Sequence, residues 1–128
     1  MRTPYRVLLA NGDPVERCSL TALLSGAGYD TIAAASFEEA RHALERRAPD
    51  LLIAHLRLGE FNGLHLFLRG RAHNPHMAAI ITTGPEDTDI KIEALQFGVL
   101  CVLTRMFTPD FLPTIAKLIE RRGSPAWH

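Results

Sequence analysis

The sequence has few cysteines, few aromatic residues and no long apolar run. Its two cysteines, Cys18 and Cys101, do not form a Cys-x-x-Cys pair, which favours reduced thiols in a cytosolic protein over a structural disulfide. No apolar segment has the length of a signal peptide or of a transmembrane helix. We therefore expect a cytoplasmic protein without a membrane partner.

An excess of charge of either sign is also missing. The 14 lysines and arginines balance 14 aspartates and glutamates, so no overall field attracts nucleic acid or anionic lipid. We expect no nucleic-acid partner on this ground. The 128 residues, 47% hydrophobic and 22% charged, suit one globular domain, which we place at 1–122 with a C-terminal tail at 123–128.

Short apolar runs alternate along the chain with segments of helical periodicity. This pattern predicts an α/β fold in which five parallel strands and five helices form a three-layer sandwich. The predicted strands are Tyr5–Ala10, Thr31–Ala35, Asp50–His55, Ala78–Thr82 and Val99–Leu103. In such a sheet a functional site lies beyond the carboxyl ends of the strands. These ends nominate a site at Ala10–Gly12, His55, Thr82–Thr83 and Thr104–Arg105.

Several short motifs, taken in their order and spacing, indicate a family. They are Pro49–Leu58, Asn62–Leu64, Gly26–Tyr29, Thr82–Thr83, and Gly98 followed by Arg105–Phe107. From Arg6 to Arg122 the chain resembles the receiver domain of bacterial two-component response regulators. The resemblance implies a flavodoxin-like fold with strand order 2-1-3-4-5 and a role in signal transduction, not an enzyme.

The sequence departs from that family where its phosphorylation chemistry takes place. The resemblance places the family's magnesium-binding acidic pair at Asn11 and Gly12, and its phosphorylated aspartate at His55. Asp13 follows as a predicted helix N-cap. Magnesium prefers carboxylate oxygens, and an acyl phosphate needs a carboxylate nucleophile. We therefore expect no cofactor, a lost magnesium site and no aspartyl phosphorylation.

The remaining family positions lie later in the chain. Thr83 keeps the hydroxyl that ends the fourth strand, Arg105 replaces a lysine and Met106 a proline. Arginine does not simply substitute for lysine, because its planar guanidinium occupies a different volume. Val102 stands at the switch position, where the family usually has an aromatic ring. The phosphoacceptor position, the magnesium-binding positions and the switch position thus all depart from the family pattern.

These departures predict a degenerate, or pseudo-receiver, domain that acts as a protein-interaction module without aspartyl phosphorylation. Its expected partner is a histidine kinase, an output protein or a second copy. A homodimer would use the fourth helix, fifth strand and fifth helix, with Asp89–Phe97 and Phe111–Arg122. One alternative is a phosphotransfer component with His55 as phosphoacceptor. Another is a small-anion sensor built from Thr83, Arg105 and His55.

Overall fold

Strands and helices alternate along the chain in a computed structural model, which describes residues 4–84, 88–103 and 107–121. The strands are β1 (Arg6–Ala10), β2 (Asp30–Ala34), β3 (Leu51–His55), β4 (Arg57–Leu58), β5 (Phe61–Asn62), β6 (Ala78–Thr83) and β7 (Leu100–Leu103). The helices are α1 (Pro14–Gly26), α2 (Phe37–Arg46), α3 (Gly63–His73), α4 (Thr88–Gln96) and α5 (Leu112–Arg121). A 3-10 turn, Pro109–Phe111, precedes α5.

Five of the strands form one parallel sheet in the order β2-β1-β3-β6-β7. Counted over these five strands alone, the order is the predicted 2-1-3-4-5. The prediction missed β4 and β5, which pair with each other as a short antiparallel hairpin beside the main sheet. Two-residue strands carry too little alternation to be visible as a pattern in the sequence.

Helices cover both faces of the sheet, as the three-layer prediction requires. On one face, alternate strand residues such as Leu8 and Leu52 pack with residues of α2 and α3. On the other, their neighbours Leu9 and Ile53 pack with α1 and α5. The central strand β3 is buried on both faces from Leu51 to Ala54, which is why its sequence is nearly unbroken in apolar residues.

Side-chain caps fix where the helices near the carboxyl edge of the sheet begin. The Asp13 carboxylate accepts the backbone N–H groups of Val15 and Glu16, which confirms the predicted N-cap of α1. The predicted end of the second strand is wrong by one residue. Ala35 lies outside β2 because its N–H donates to the carboxylate of Glu39, in the first turn of α2.

The start of α3 is pressed against the end of β3. A Cβ atom added at Gly63 would lie 2.7 Å from the carbonyl oxygen of His55 and 3.0 Å from Cβ of Ala54. Only glycine allows this approach without a shift of the backbone. The Gly63 N–H also donates to the carbonyl of Leu56, closing the hairpin segment.

Two other predictions concern the chain as a whole. The C-terminal tail at 123–128 lies outside the described residues. No helix in the described ranges combines the length and apolar character needed to cross a membrane.

Candidate functional site

His55 ends β3 at the carboxyl edge of the sheet, and its half-buried ring is held by the neighbouring strand. Nδ1 of His55 lies 3.0 Å from Oγ1 of Thr82, at hydrogen-bond distance. The two residues are register partners in parallel strands, so their side chains extend from the same face of the sheet. Sequence analysis placed Thr82 at a strand end but did not identify it as the partner of His55, because the pairing register was unknown.

The hydroxyl of Thr83, the next residue of β6, differs from that of Thr82 in its hydrogen bonding. Its side chain is 2% exposed, and its Oγ1 finds no hydrogen-bond partner among the described residues. A buried hydroxyl without a partner typically costs about 1–3 kcal/mol. Two adjacent threonines with the same chemistry are therefore in energetically different surroundings.

At the end of β1, the polar atoms of Asn11 form hydrogen bonds within the loop. The side-chain oxygen of Asn11 accepts the Asp13 N–H at 2.8 Å, and its amide nitrogen donates to Glu16 at 3.2 Å. The backbone carbonyl of Asn11 accepts a hydrogen bond from Arg17 at 2.8 Å. With Asn11 only 1% exposed, its side chain serves to brace the start of α1.

Gly12 and Asp13 complete this loop. A Cβ atom at Gly12 would come no closer than 3.7 Å to the nearest atom, the carbonyl oxygen of Ala35. The position therefore has room for a side chain, and a glycine is not sterically required there. Asp13 does carry a carboxylate, which caps α1. Among the described residues, no cluster of three or more His, Cys, Asp or Glu side chains could hold a metal ion.

Val102 lies next to the His55–Thr82 pair on the adjacent strand of the sheet. It is the register partner of Thr82 in β7, so His55, Thr82 and Val102 form one row across β3, β6 and β7. Val102 is half-buried against the α1–α5 side of the core. The other two predicted positions, Arg105 and Met106, lie outside the described residues, and so does the predicted contact of Arg105 with His55 and Thr83.

Comparison with known proteins gives three consistent results. A family model described as "Response regulator receiver domain" matches residues 7–117. The transcriptional regulatory protein GlrR of Escherichia coli is 33% identical over 123 residues, covering 96% of this chain and 28% of that protein. The alginate biosynthesis transcriptional regulatory protein AlgB of Pseudomonas aeruginosa is 32% identical over 118 residues, covering 91% of this chain and 26% of that protein.

The chain spans only about a quarter of the length of these curated relatives. Both are named as transcriptional regulatory proteins, so the expectation that nucleic acid is no partner is not borne out. That expectation rested on the net charge of this chain, which says nothing about a longer regulator of which such a domain forms a part.

Solved structures support the same fold. A receiver domain protein from Methanospirillum hungatei, 21% identical, superimposes with a TM-score of 0.84 over 94% of this chain and 97% of that one. A receiver domain protein from Clostridium thermocellum, 24% identical, superimposes with a TM-score of 0.82 over 91% of this chain and 95% of that one. At this identity the likeness concerns the fold alone.

Proposed function

Because this chain belongs to the response regulator receiver domain family, a signalling module, we propose that it signals through protein contacts without aspartyl phosphorylation. The observation that carries the proposal is His55 at the end of β3, hydrogen-bonded to Thr82. The resemblance places the family's acceptor aspartate at this position. An imidazole tied to a neighbouring strand supplies neither the carboxylate nucleophile nor the negative charge of that chemistry.

We also propose that the magnesium site is lost. The side-chain oxygen of Asn11 already accepts a backbone N–H, and the Asp13 carboxylate already caps α1. Gly12 contributes no side chain. Magnesium would have to compete with these hydrogen bonds and would gain no additional carboxylate from His55.

The proposed contact surface is formed by α4, β7 and α5. Three large apolar side chains at the α4 end of this surface are strongly exposed: Ile92 at 54%, Leu95 at 52% and Phe97 at 47%. Clustered exposed apolar residues mark protein contact sites. A histidine kinase, an output protein or a second copy would bury them, and the partner would set the conformation by population shift.

The test is intact mass spectrometry after incubation with acetyl phosphate and magnesium at neutral pH. We expect no gain in mass. A gain of one phosphate by the unaltered chain would overturn the proposal, and its loss in the His55→Ala variant would identify the acceptor.

A triple variant provides the matched control. Replacing Asn11, Gly12 and His55 by aspartate restores the carboxylates, and the space around Gly12 accommodates the new side chain. Titration calorimetry should detect magnesium binding by the triple variant and none by the unaltered chain. Sub-millimolar binding by the unaltered chain would contradict the argument from charge.

One observation favours phosphotransfer through His55 as a second candidate function. In the tautomer whose Nδ1–H donates to Oγ1 of Thr82, the second ring nitrogen, Nε2, carries the lone pair and would be the nucleophile. Nε2 would attack the phosphorus of acetyl phosphate while the bond to the acyl oxygen breaks and acetate leaves. The phosphohistidine so formed is acid-labile, which separates it from a phosphoserine or phosphothreonine in the same mass measurement.

The Thr83 hydroxyl, which has no partner in the part of the chain that the structure describes, favours a third candidate, a small-anion sensor. In this candidate the Thr83 hydroxyl, His55 and Arg105 would together offer donors to phosphate or a carboxylate. This candidate is tested by titrating the chain with inorganic phosphate while the NMR chemical shift of the Thr83 amide is monitored. A saturable shift that is lost in Thr83→Val would support it.

A further inference from the structure

The outer edge of the sheet, at β2, has backbone groups that no strand uses. β2 is the terminal strand, and within the described ranges only β1 pairs with it. The Asp30 N–H donates to the carbonyl of Tyr5, and the Ala34 carbonyl accepts the N–H of Asn11. In a parallel ladder alternate residues bond to the same neighbour. Asp30, Ile32 and Ala34 therefore face β1, while Thr31 and Ala33 direct N–H and C=O outwards.

Beyond Asp30, its first residue, which pairs with Arg6, the terminal strand carries little that protects its edge. Proteins block such edges with lysine, proline, bulges or covering segments. The stretch Thr31–Ala34 contains no proline and no charged side chain. Its backbone is thus available to pair with another strand.

Beside the edge runs a groove between β2 and α2, which we call the β2–α2 groove. It has a volume of about 450 Å³ and an apolar floor that includes Ile32 and Ala43. Glu38 and Glu39, in the first turn of α2, line one end, and Arg46, in the last turn, lines the other. Arg47 lies in the adjoining cavity of about 470 Å³, which shares Ile32, Ala43 and Arg46.

The charges of this groove are self-complementary. A two-fold axis near Ile32, perpendicular to β2, reverses the direction of α2. It therefore brings the acidic end of one copy against the basic end of the other. A contact between two copies uses the same patch on both, as a closed dimer requires.

We infer that a second copy of this chain docks on the β2 edge. The two β2 strands pair antiparallel and join the two five-stranded sheets into one. Thr31 exchanges both backbone hydrogen bonds with Ala33 of the partner subunit, and Ala33 with the partner's Thr31. Ile32 packs on the partner's Ile32 as a non-hydrogen-bonded pair between the two α2 helices.

The mixed charge of the groove selects this occupant over an acidic peptide. An extended acidic segment would gain from Arg46 and Arg47 but would meet Glu38 and Glu39 at the other end. Glu38 lines the groove and remains 68% exposed although its carboxylate pairs with Arg41, so it adds negative charge at that end. A second copy matches both ends at once.

Sedimentation velocity at about 100 µM tests the proposal, because a micromolar dissociation constant populates the dimer at this concentration. We expect a species of about twice the 14.2 kDa monomer mass. The Ala33→Pro variant removes an outward N–H and leaves the β1–β2 bonds in place, so it should fold and sediment as a monomer. Val15→Asp, at an exposed apolar position in the first turn of α1, is the matched control and should still dimerise.

A charge exchange keeps the test decisive if Ala33→Pro fails to fold. The double variants Arg46→Glu/Arg47→Glu and Glu38→Lys/Glu39→Lys should each sediment as monomers, because each places like charges opposite one another across the axis. Mixed in equal amounts, they should form a heterodimer, visible by native mass spectrometry. Restoration by mixing cannot result from two misfolded proteins.

Several outcomes would overturn the inference. One is a native chain that remains monomeric at this concentration. Another is a dimer that survives Ala33→Pro but is lost in Leu95→Asp, which would place the contact on α4. A monomer that binds a poly-glutamate peptide through Arg46 and Arg47 would replace the second copy by an acidic partner.

Discussion

Thr82 and Thr83 offer the sharpest test of the site, because one substitution at two adjacent positions should change stability in opposite directions. Both side chains are almost completely buried, at 1% and 2% exposed. Valine preserves the shape of threonine and replaces the hydroxyl by a methyl group. The variants Thr82→Val and Thr83→Val therefore differ only in what each hydroxyl contacts.

The expected magnitudes follow from those contacts. Thr82→Val removes the hydrogen bond to Nδ1 of His55 and leaves a half-buried ring nitrogen unpaired, so the free energy of unfolding should fall by about 1–2 kcal/mol. Thr83→Val removes a buried hydroxyl that has no described partner, so the free energy of unfolding should rise by about 1 kcal/mol. The two variants should differ by about 2–3 kcal/mol.

Urea unfolding measures this difference directly, with unchanged m-values as the control for a common unfolded state. By thermal melting, 1 kcal/mol corresponds to a shift of about 4 °C for a domain of this size. If Thr83→Val destabilises the chain as much as Thr82→Val does, the Thr83 hydroxyl is satisfied by another group. The assignment of two different environments would then be wrong.

Two further predictions concern the helices that frame the site. Gly63→Ala should lower the free energy of unfolding by about 1–2 kcal/mol, because the new Cβ atom meets the backbone carbonyl of His55. Gly26→Ala is the control, because nothing lies within 4 Å of a Cβ atom there. Urea unfolding should show no loss of stability in the Gly26→Ala variant. The hydrogen bond from Arg41 holds the pKa of Glu38 below its usual value of 4.5, so its contribution is present above that pH and lost as the pH falls through the lowered pKa. Arg41→Gln should therefore reduce stability at neutral pH but not well below pH 4.5, and an equal loss at both would contradict this pairing.

Local chemistry made much of the fold predictable. The apolar run ending at His55 identified a strand buried on both faces, because only such a strand tolerates consecutive apolar residues. Asp13 identified one helix start, since a cap is a contact within a few residues of sequence. The carboxyl ends of the strands then indicated the edge of the sheet at which the site residues lie.

Contacts between distant segments were not predictable in the same way. The partner of His55 depends on the register between β3 and β6, and a shift of one residue would have placed Thr83 opposite the ring. The clash at Gly63 and the free edge at β2 likewise depend on which elements become neighbours.

The sequence by itself thus determined which chemical groups stand at the ends of the strands. Tertiary structure alone decided that the Thr82 hydroxyl is paired, that the Thr83 hydroxyl has no described partner and that β2 pairs only with β1 in the described ranges. The physical reason is that residue type and periodicity are local properties of the chain, whereas hydrogen-bond satisfaction is a property of the packed sheet.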